Sequence, residues 1–429
     1  MTLSSRFICY WASRDIATLG SCIFAIGLLA WGYHLEESAT LVSIIVMALI
    51  LPPFLLSPLA DRLVSGKQAY PIALVAQCST TLLLLPLLRV KAASDLRLVL
   101  VIGLALGISA AFIKASRKTM LPALAGEKAT VPDTGLITTR SATMIVGPAA
   151  GTVIYNSSYS GSTGFSACVV ATIITLAIST ALLIFARPTA PNPTSIEKGS
   201  FAKQLAEIQK GLIYIWRWPA LRTAAAIRLL AALAIGGLVV VQVALMVWGA
   251  FTSADNLGYV LAAQGLGIAI ATLGNSFLRN QLAIHSRIAI GFGLTAAGGF
   301  GFAITSSLNG SILSGVAIGL GLGLAGLALT SLIGLLTKDE MAKPVRMGLD
   351  LAGSAAVLLS VTSIGRITDT VGPRFSIVLI AILLAVLALC AFGAAPDLGL
   401  EEGDKESTRS AADSLYDIEC GVPAGTLLG

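Results

Sequence analysis

The chain has 429 residues, of which 56% are hydrophobic and only 12% are charged, and its formal net charge is +6. Soluble domains carry about a quarter charged residues, so this composition excludes a soluble globular protein and predicts a polytopic membrane protein. Basic patches with interleaved aromatic residues are absent from the sequence, so nucleic acid is not an expected partner.

Long apolar stretches follow one another along the chain and predict membrane-spanning helices, each of which needs about 20 apolar residues. A β-barrel would instead show alternating segments of about ten residues. The first stretch is too long for a signal peptide and lacks a cleavage site, so we expect it to remain a spanning helix. The sequence predicts an all-α fold with twelve spans, at residues 8–32, 40–60, 69–90, 97–117, 135–156, 165–186, 223–250, 257–278, 286–306, 311–336, 347–369 and 374–395.

The Lys and Arg residues are unevenly divided between the two sides of the predicted membrane. With the N-terminus inside, nineteen of the 28 fall in inner segments, four in outer loops and five within spans. Positive residues accumulate on the cytoplasmic side of membrane proteins. We therefore expect a multi-pass protein of a plasma membrane, of the bacterial inner-membrane type, with both termini in the cytoplasm.

A polar stretch at residues 187–222 divides the spans into six and six. It begins with a Pro-rich linker and continues as an amphipathic helix at about 201–216, which either lies on the membrane surface or packs on the helix bundle. The arrangement predicts two pseudo-repeated six-helix bundles, at residues 1–186 and 223–396. Residues 397–429 form an acidic tail with few apolar anchors, which we expect to be disordered and cytoplasmic.

The loop between the second and third spans carries the densest polar motif, a run from Leu59 to Lys67 that reads L-A-D-R-x-x-x-G-K. This run resembles the signature loop of major facilitator transporters. Within that superfamily the best likeness is to the branch of macrolide-type efflux pumps, siderophore exporters and lysophospholipid transporters.

Three further segments extend the resemblance: Phe112–Leu124 after span four, Gly211–Arg222 before span seven, and Arg346–Gly348 at the start of span eleven. The second-half counterpart of the signature loop, predicted at residues 274–280, lacks the aspartate. The resemblance implies the major facilitator fold and transport by alternating access.

The resemblance also implies a conformational latch that consists of Asp61, Arg62, Lys67, Arg117 and Arg346. Span eleven is expected to begin near Arg346, and its N-terminal partial positive charge would stabilise the Asp61 carboxylate. Arg117 would hold that carboxylate from the other side. By the same resemblance, the latch would be made in the outward-open state and broken in the inward-open state. Ordinary positive-inside charges are the alternative, which explains Arg62 and Lys67 but not Asp61.

Span five contains Gly147, Pro148 and Gly151, which resemble the G-P-x-x-G antiporter motif. Proline removes a backbone donor and glycine permits close helix contact, so the segment can kink and pack tightly. Spanning helices use both residues freely, so simple packing is the alternative to an antiporter role.

Charged residues inside spans are the candidates for proton or substrate binding. A lone charge near a helix centre costs about 2.5–3.5 kcal/mol on insertion scales, so such residues pair or line a wet cavity. The candidates are Arg14 and Asp15 in span one, Arg140 in span five, Arg228 in span seven and Asp350 in span eleven. If Asp15 faces Arg140, proton binding competes with an ion pair, which suits proton coupling. A structural ion pair near the interface is the alternative for each.

Groupings of residues for catalysis or cofactor binding are missing from the sequence. His34 and His285 stand alone, and the six cysteines are scattered. Gly66-Lys67 lacks the upstream glycine of a phosphate-binding loop, and the Gly-rich run at 321–326 has no preceding strand. We therefore expect no cofactor, no metal and no enzymatic activity.

The sequence predicts a monomeric secondary transporter in the lipid bilayer, a proton-coupled multidrug-type antiporter for efflux of a hydrophobic or amphipathic small molecule. A cavity with few fixed charges suits such compounds better than sugars or free phosphates. A lysophospholipid or siderophore transporter is the alternative within this class. A transport-dead membrane sensor or a membrane enzyme is the alternative of another class.

Overall fold

The computed structural model describes residues 5–64, 68–125, 133–157, 161–187, 201–248 and 256–393. These residues form fourteen α-helices and two short 3-10 turns, and no strand occurs among them. Lys67 and the predicted acidic tail lie outside the described residues, so the interpretation of both stays a prediction.

The helices belong to two compact units, whose boundary falls between Gln204 and Leu205. The first unit contains α1 (Ser5–Glu36), α2 (Ala39–Leu63), α3 (Ala69–Leu84), α4 (Leu96–Ala125), α5 (Asp133–Asn156) and α6 (Gly161–Phe185). The second contains most of α7 (Phe201–Arg217), then α8 (Pro219–Gly236), α9 (Leu238–Trp248), α10 (Leu257–Gln281), α11 (Ile284–Ile304), α12 (Leu308–Leu336), α13 (Asp339–Val371) and α14 (Pro373–Gly393).

Eleven helical segments in the described part of the chain are long and apolar enough to cross a membrane. They correspond to eleven of the twelve predicted spans, and the all-α polytopic fold is confirmed. The remaining predicted span, 135–156, coincides with α5, which carries Asp133, Arg140 and several Thr and Ser residues and is not among the eleven. Predicted span seven is formed by α8 and α9 in succession, with Gly237 between them.

Helix ends follow local chemistry. Ser38 and Ser307 accept hydrogen bonds from the backbone amides of Leu41 and Gly310, at 3.3 and 3.2 Å, and so cap the N-termini of α2 and α12. Gly372 ends α13 with a φ of +90°, a backbone conformation that favours glycine, and Pro373 begins α14.

Helix α1 is at the centre of the first unit, where it packs against α5 and α6. The ring of Trp31 stacks on Phe165 of α6 with centroids 5.2 Å apart. Nearer the N-terminus of α1, the buried Ser13 hydroxyl donates to the Ser179 carbonyl at 2.8 Å, and the Gln77 amide donates to the Ser179 hydroxyl at 2.5 Å. This network links α1, α3 and α6 and satisfies polar groups that apolar surroundings would otherwise leave unpaired.

Glycines allow close packing in the second unit, where α12 lies against α10 and α11. A Cβ at Gly323 would lie 2.8 Å from the Cβ of Ala271, and one at Gly321 would collide with the Gly291 carbonyl. The Gly-rich run at 321–326 therefore provides close helix contact and is part of a spanning helix.

Candidate functional site

The predicted latch residue Asp61 lies in the last turn of α2, where its Oδ2 is 3.4 Å from the Nζ of Lys118 in α4. Lys118 was not among the predicted partners. Its neighbour Arg117 accepts a hydrogen bond from the Tyr10 hydroxyl at its backbone carbonyl, at 3.2 Å. Adjacent residues on a helix point about 100° apart, so Lys118 and Arg117 leave α4 in different directions. Arg62 is exposed beside Asp61.

The predicted start of span eleven near Arg346 is wrong, because α13 begins at Asp339, about two turns earlier. Asp339 and Glu340 occupy its first turn, where acidic side chains match the partial positive charge of the helix N-terminus. Arg346 is exposed in the second unit. A contact between Asp61 and span eleven stays a prediction.

Asp15 is half-buried in α1 within a small polar cluster. Its carboxylate interacts with the side chains of Trp11 and Thr139 and with the charges of Arg14 and Arg117. The Trp11 indole donates to the Thr139 hydroxyl at 2.9 Å, which links α1 to α5.

The predicted partner of Asp15, Arg140, follows Thr139 in α5, but its side chain lies outside the described residues. Their pairing stays a prediction. The structure does bring the charge of Arg117, predicted as a latch residue, into the Asp15 cluster.

Arg228 and Asp350, predicted as separate candidates, form an ion pair in the second unit. Arg228 Nη2 in α8 donates to Asp350 Oδ1 in α13 at 3.1 Å. The Arg228 side chain is 24% exposed and that of Asp350 is 56% exposed. A lone carboxylate on a spanning helix is costly in lipid, and the pairing with Arg228 offsets that cost.

The G-P-x-x-G segment of α5 lies against α1. A Cβ at Gly147 would lie 2.6 Å from the Cys22 Cβ, and one at Gly151 would lie 3.1 Å from the Ile23 Cα. Pro148 is buried within the same continuous helix. Close packing thus explains both glycines, and an antiporter role for the motif stays a prediction.

Sequence reasoning missed two buried polar groups in the second unit. Arg287 is one of the nineteen cations assigned to the inner side, at the end of predicted span 286–306, but it is buried in α11 with 3% exposure and donates to Asn275 Oδ1 at 3.1 Å. The predicted loop at 274–280 is also wrong, since these residues belong to α10.

Gln242 in α9 is fully buried, and neither atom of its amide has a hydrogen-bond partner within the described part of the chain. The sequence signal for Gln242 was a single amide side chain in an otherwise apolar span.

Metal-binding groups of three or more His, Cys, Asp or Glu residues are not found where the structure describes the chain. The polar side chains are arranged as ion pairs and hydrogen-bonded clusters between helices. Such an arrangement can bind protons and polar substrate groups.

Comparison with known proteins gives one family match. The sequence profile of the Major Facilitator Superfamily matches residues 11–348. A search of curated proteins finds no match.

Several solved structures share the fold. One is the peptide transporter POT in a mutant form, with a TM-score of 0.68 and 13% identity over 92% of this chain and 94% of that one. Another is the nucleoside transporter NupG, also a mutant, with a TM-score of 0.69 and 12% identity over 90% and 99%. A third is a POT family transporter in complex with a thioalcohol-conjugated peptide, with a TM-score of 0.69 and 13% identity over 92% and 96%.

Proposed function

The chain belongs to the Major Facilitator Superfamily and is a membrane transporter rather than an enzyme, and from that premise we propose that it exports a hydrophobic or amphipathic small molecule in exchange for protons. The observation that carries the proposal is that each unit holds one carboxylate well inside a described span beside arginine: Asp15 near Arg14 and Arg117, and Asp350 with Arg228.

The small number of charged residues inside the spans supports a hydrophobic or amphipathic substrate. Peptides and nucleosides, the substrates named for the solved relatives, carry several polar groups that need matching partners. The Asp15 cluster combines one carboxylate with the apolar face of Trp11 and the Thr139 hydroxyl. This combination suits a molecule with a large apolar body and one polar or cationic group. A lysophospholipid or a siderophore is the alternative substrate, since Arg14 and Arg117 offer positive charge to a phosphate or carboxylate.

Coupling follows from competition at Asp15. The Asp15 carboxylate lies beside the Trp11 and Thr139 side chains and near the charges of Arg14 and Arg117. A proton on Asp15 removes the negative charge with which a cationic group of the substrate would pair. Binding of proton and substrate then exclude each other, which is the linkage that an antiporter requires.

The test compares wild type with Asp15→Asn in everted membrane vesicles, with a pH gradient as the only energy source. A panel of lipophilic cationic dyes, a lysophospholipid and a ferric siderophore identifies the substrate with wild-type protein. Asp15→Asn is expected to abolish uphill accumulation and to leave downhill exchange of the same substrate measurable. The matched control is Glu36→Gln at the exposed end of the same helix, which should behave as wild type.

Unchanged uphill transport by Asp15→Asn would refute coupling at this residue. A wild-type protein that moves substrate only into the cell, down its own gradient, would refute export.

A further inference from the structure

An open groove of about 480 Å³ runs along α7 in the second unit. Its lining combines four polar or basic side chains of α7 with three apolar ones: Ala206, Gln209, Lys210, Ile213, Tyr214, Arg217 and, from α13, Met341. We refer to it as the α7 groove.

The α7 groove has a fixed position because α7 is docked on α13. A Cβ at Gly211 would collide with the Pro344 carbonyl, and Leu212 lies against Gly348. At the same contact, Lys343 Nζ lies 3.3 Å from Glu207 Oε2. The helix that the sequence placed either on the membrane surface or on the bundle is therefore packed on a spanning helix through one face.

The groove borders a candidate membrane span, and we infer that it lies at the membrane surface. Helix α7 ends at Arg217, and the spanning segment Pro219–Met246 starts two residues later. Trp216 is 73% exposed and Trp218 is half exposed between these two elements. Tryptophan and tyrosine concentrate at membrane–water interfaces, and this position holds whichever side of the membrane it faces.

The charge of the groove is positive. Lys210 and Arg217 line it, and the Arg222 guanidinium lies 5.6 Å from the Trp216 ring beside it. The lining residues include no carboxylate, and the nearby Glu207 is already paired with Lys343. Two cations and the Tyr214 hydroxyl beside apolar side chains match a phosphate that is attached to an apolar chain.

We propose that the α7 groove binds the headgroup of an anionic phospholipid such as phosphatidylglycerol. Lys210 and Arg217 hold the phosphate, Gln209 and Tyr214 donate hydrogen bonds to the headgroup, and the acyl chains lie along Ile213 and the exposed tryptophans. A free phosphate uses only the cations, whereas a lipid also covers the apolar surface. The site is independent of the transported substrate.

The experiment measures quenching of tryptophan fluorescence in phosphatidylcholine vesicles that contain the full-length protein and rising fractions of brominated phosphatidylglycerol. Brominated phosphatidylcholine in a parallel series gives the non-specific level. A Trp216→Phe/Trp218→Phe variant isolates the signal of the groove from the other three tryptophans. We expect quenching by phosphatidylglycerol to reach its midpoint at a much lower fraction than quenching by phosphatidylcholine.

Lys210→Gln/Arg217→Gln should weaken the preference for phosphatidylglycerol by about fivefold for each cation removed. The matched control Arg279→Gln/Lys338→Gln removes two cations that do not line the groove and should keep the preference. Soluble glycerol phosphate should not displace the lipid. Circular dichroism and gel filtration identify any variant that fails to fold, in which case the single variants Lys210→Gln and Arg217→Gln take its place.

Three results would overturn the proposal. The first is equal quenching by the two lipids, and the second is a preference that survives loss of both cations. The third concerns the acidic residues 397–429: if phosphatidylglycerol quenches only a variant truncated after residue 396, the tail and not lipid occupies the groove.

Discussion

At the scale of single residues, the ion pair between Arg228 and Asp350 offsets the cost of placing a charge inside a spanning helix. A charge inside a span costs about 2.5–3.5 kcal/mol on insertion scales when it lacks a partner or water. The two side chains meet at 3.1 Å from different helices, and each is partly exposed. Each charge therefore has a partner within the second unit, which lowers the cost of placing it in a span.

Asp350→Asn should lower the initial rate of transport about tenfold or more, because Arg228 then faces a neutral amide inside the span. The rate is measured with reconstituted protein and the substrate that the vesicle panel identifies. The matched control is Asp339→Asn in the exposed first turn of the same helix, which should keep at least half of the rate. Equal effects of the two variants would show that the Arg228–Asp350 pair has no special role.

Asp61→Asn should leave expression and thermal stability almost unchanged but sharply reduce transport. Its exposed pair with Lys118 contributes only about 0–1 kcal/mol to folding. We expect the predicted latch instead to set the balance between the outward-open and inward-open states. Transport and melting temperature are measured on the same preparations, and Lys118→Gln should give the same phenotype in weaker form. Normal transport by Asp61→Asn would show that the motif around Asp61 serves only to set the membrane topology.

At the scale of helices, close approach decides which pairs hold together in the first unit. Helix α5 is the one predicted span that is not among the eleven apolar segments, yet it packs tightly on α1 through Gly147 and Gly151. Glycine at these positions removes the side chain that would separate the two backbones. The same contact brings Thr139 of α5 to Trp11 and Asp15 of α1, so the packing of these two helices also positions the candidate proton site.

Gly147→Ala should destabilise the protein by about 1–3 kcal/mol, because the added Cβ would lie 2.6 Å from Cys22 Cβ. Gly353→Ala in α13 is the matched control, since a Cβ there has no neighbour within 4 Å. The control should be neutral or gain up to about 1 kcal/mol from helix propensity. Thermal unfolding in detergent distinguishes them, and equal melting temperatures would refute close packing at this contact.

At the scale of the whole molecule, the basic residues are divided unevenly between the two predicted sides of the membrane. The division of Lys and Arg between predicted inner and outer segments is nineteen to four. Topology of this kind is set by positive charge near the ends of spans. The predicted orientation places the N-terminus, the segment 187–222 and the C-terminal tail on the cytoplasmic side.

A membrane-impermeant maleimide added to intact cells should therefore fail to label Cys420, which lies in the tail. The experiment uses a variant in which the other five cysteines are replaced by serine or alanine. Labelling should appear after permeabilisation, which serves as the positive control. Efficient labelling of intact cells would reverse the assigned orientation.

Several features of this protein are determined by the sequence alone. A bilayer demands about 20 apolar residues for each crossing, so the spans can be located without knowledge of their contacts. The same constraint singles out Asp15, Arg228 and Asp350 as candidate functional residues, because a charged side chain in an apolar span requires a partner or water. The order of short motifs around the spans then identifies the superfamily, which the profile match over residues 11–348 confirms.

The tertiary structure decided which of these residues meet. The sequence predicted Arg117 as the partner of Asp61 and missed Lys118, because a small rotation or tilt of α4 changes which side chain faces α2. It could not pair Arg228 with Asp350, 122 positions apart, because that contact depends on how α8 and α13 cross. Arg287 was counted with the cations of the inner side at the end of predicted span 286–306, and only the packing of α11 shows that its side chain is buried. The length of an apolar segment is a local property that can be read from the sequence. Which side chain pairs with which depends on how two helices pack, and only the tertiary structure shows that packing.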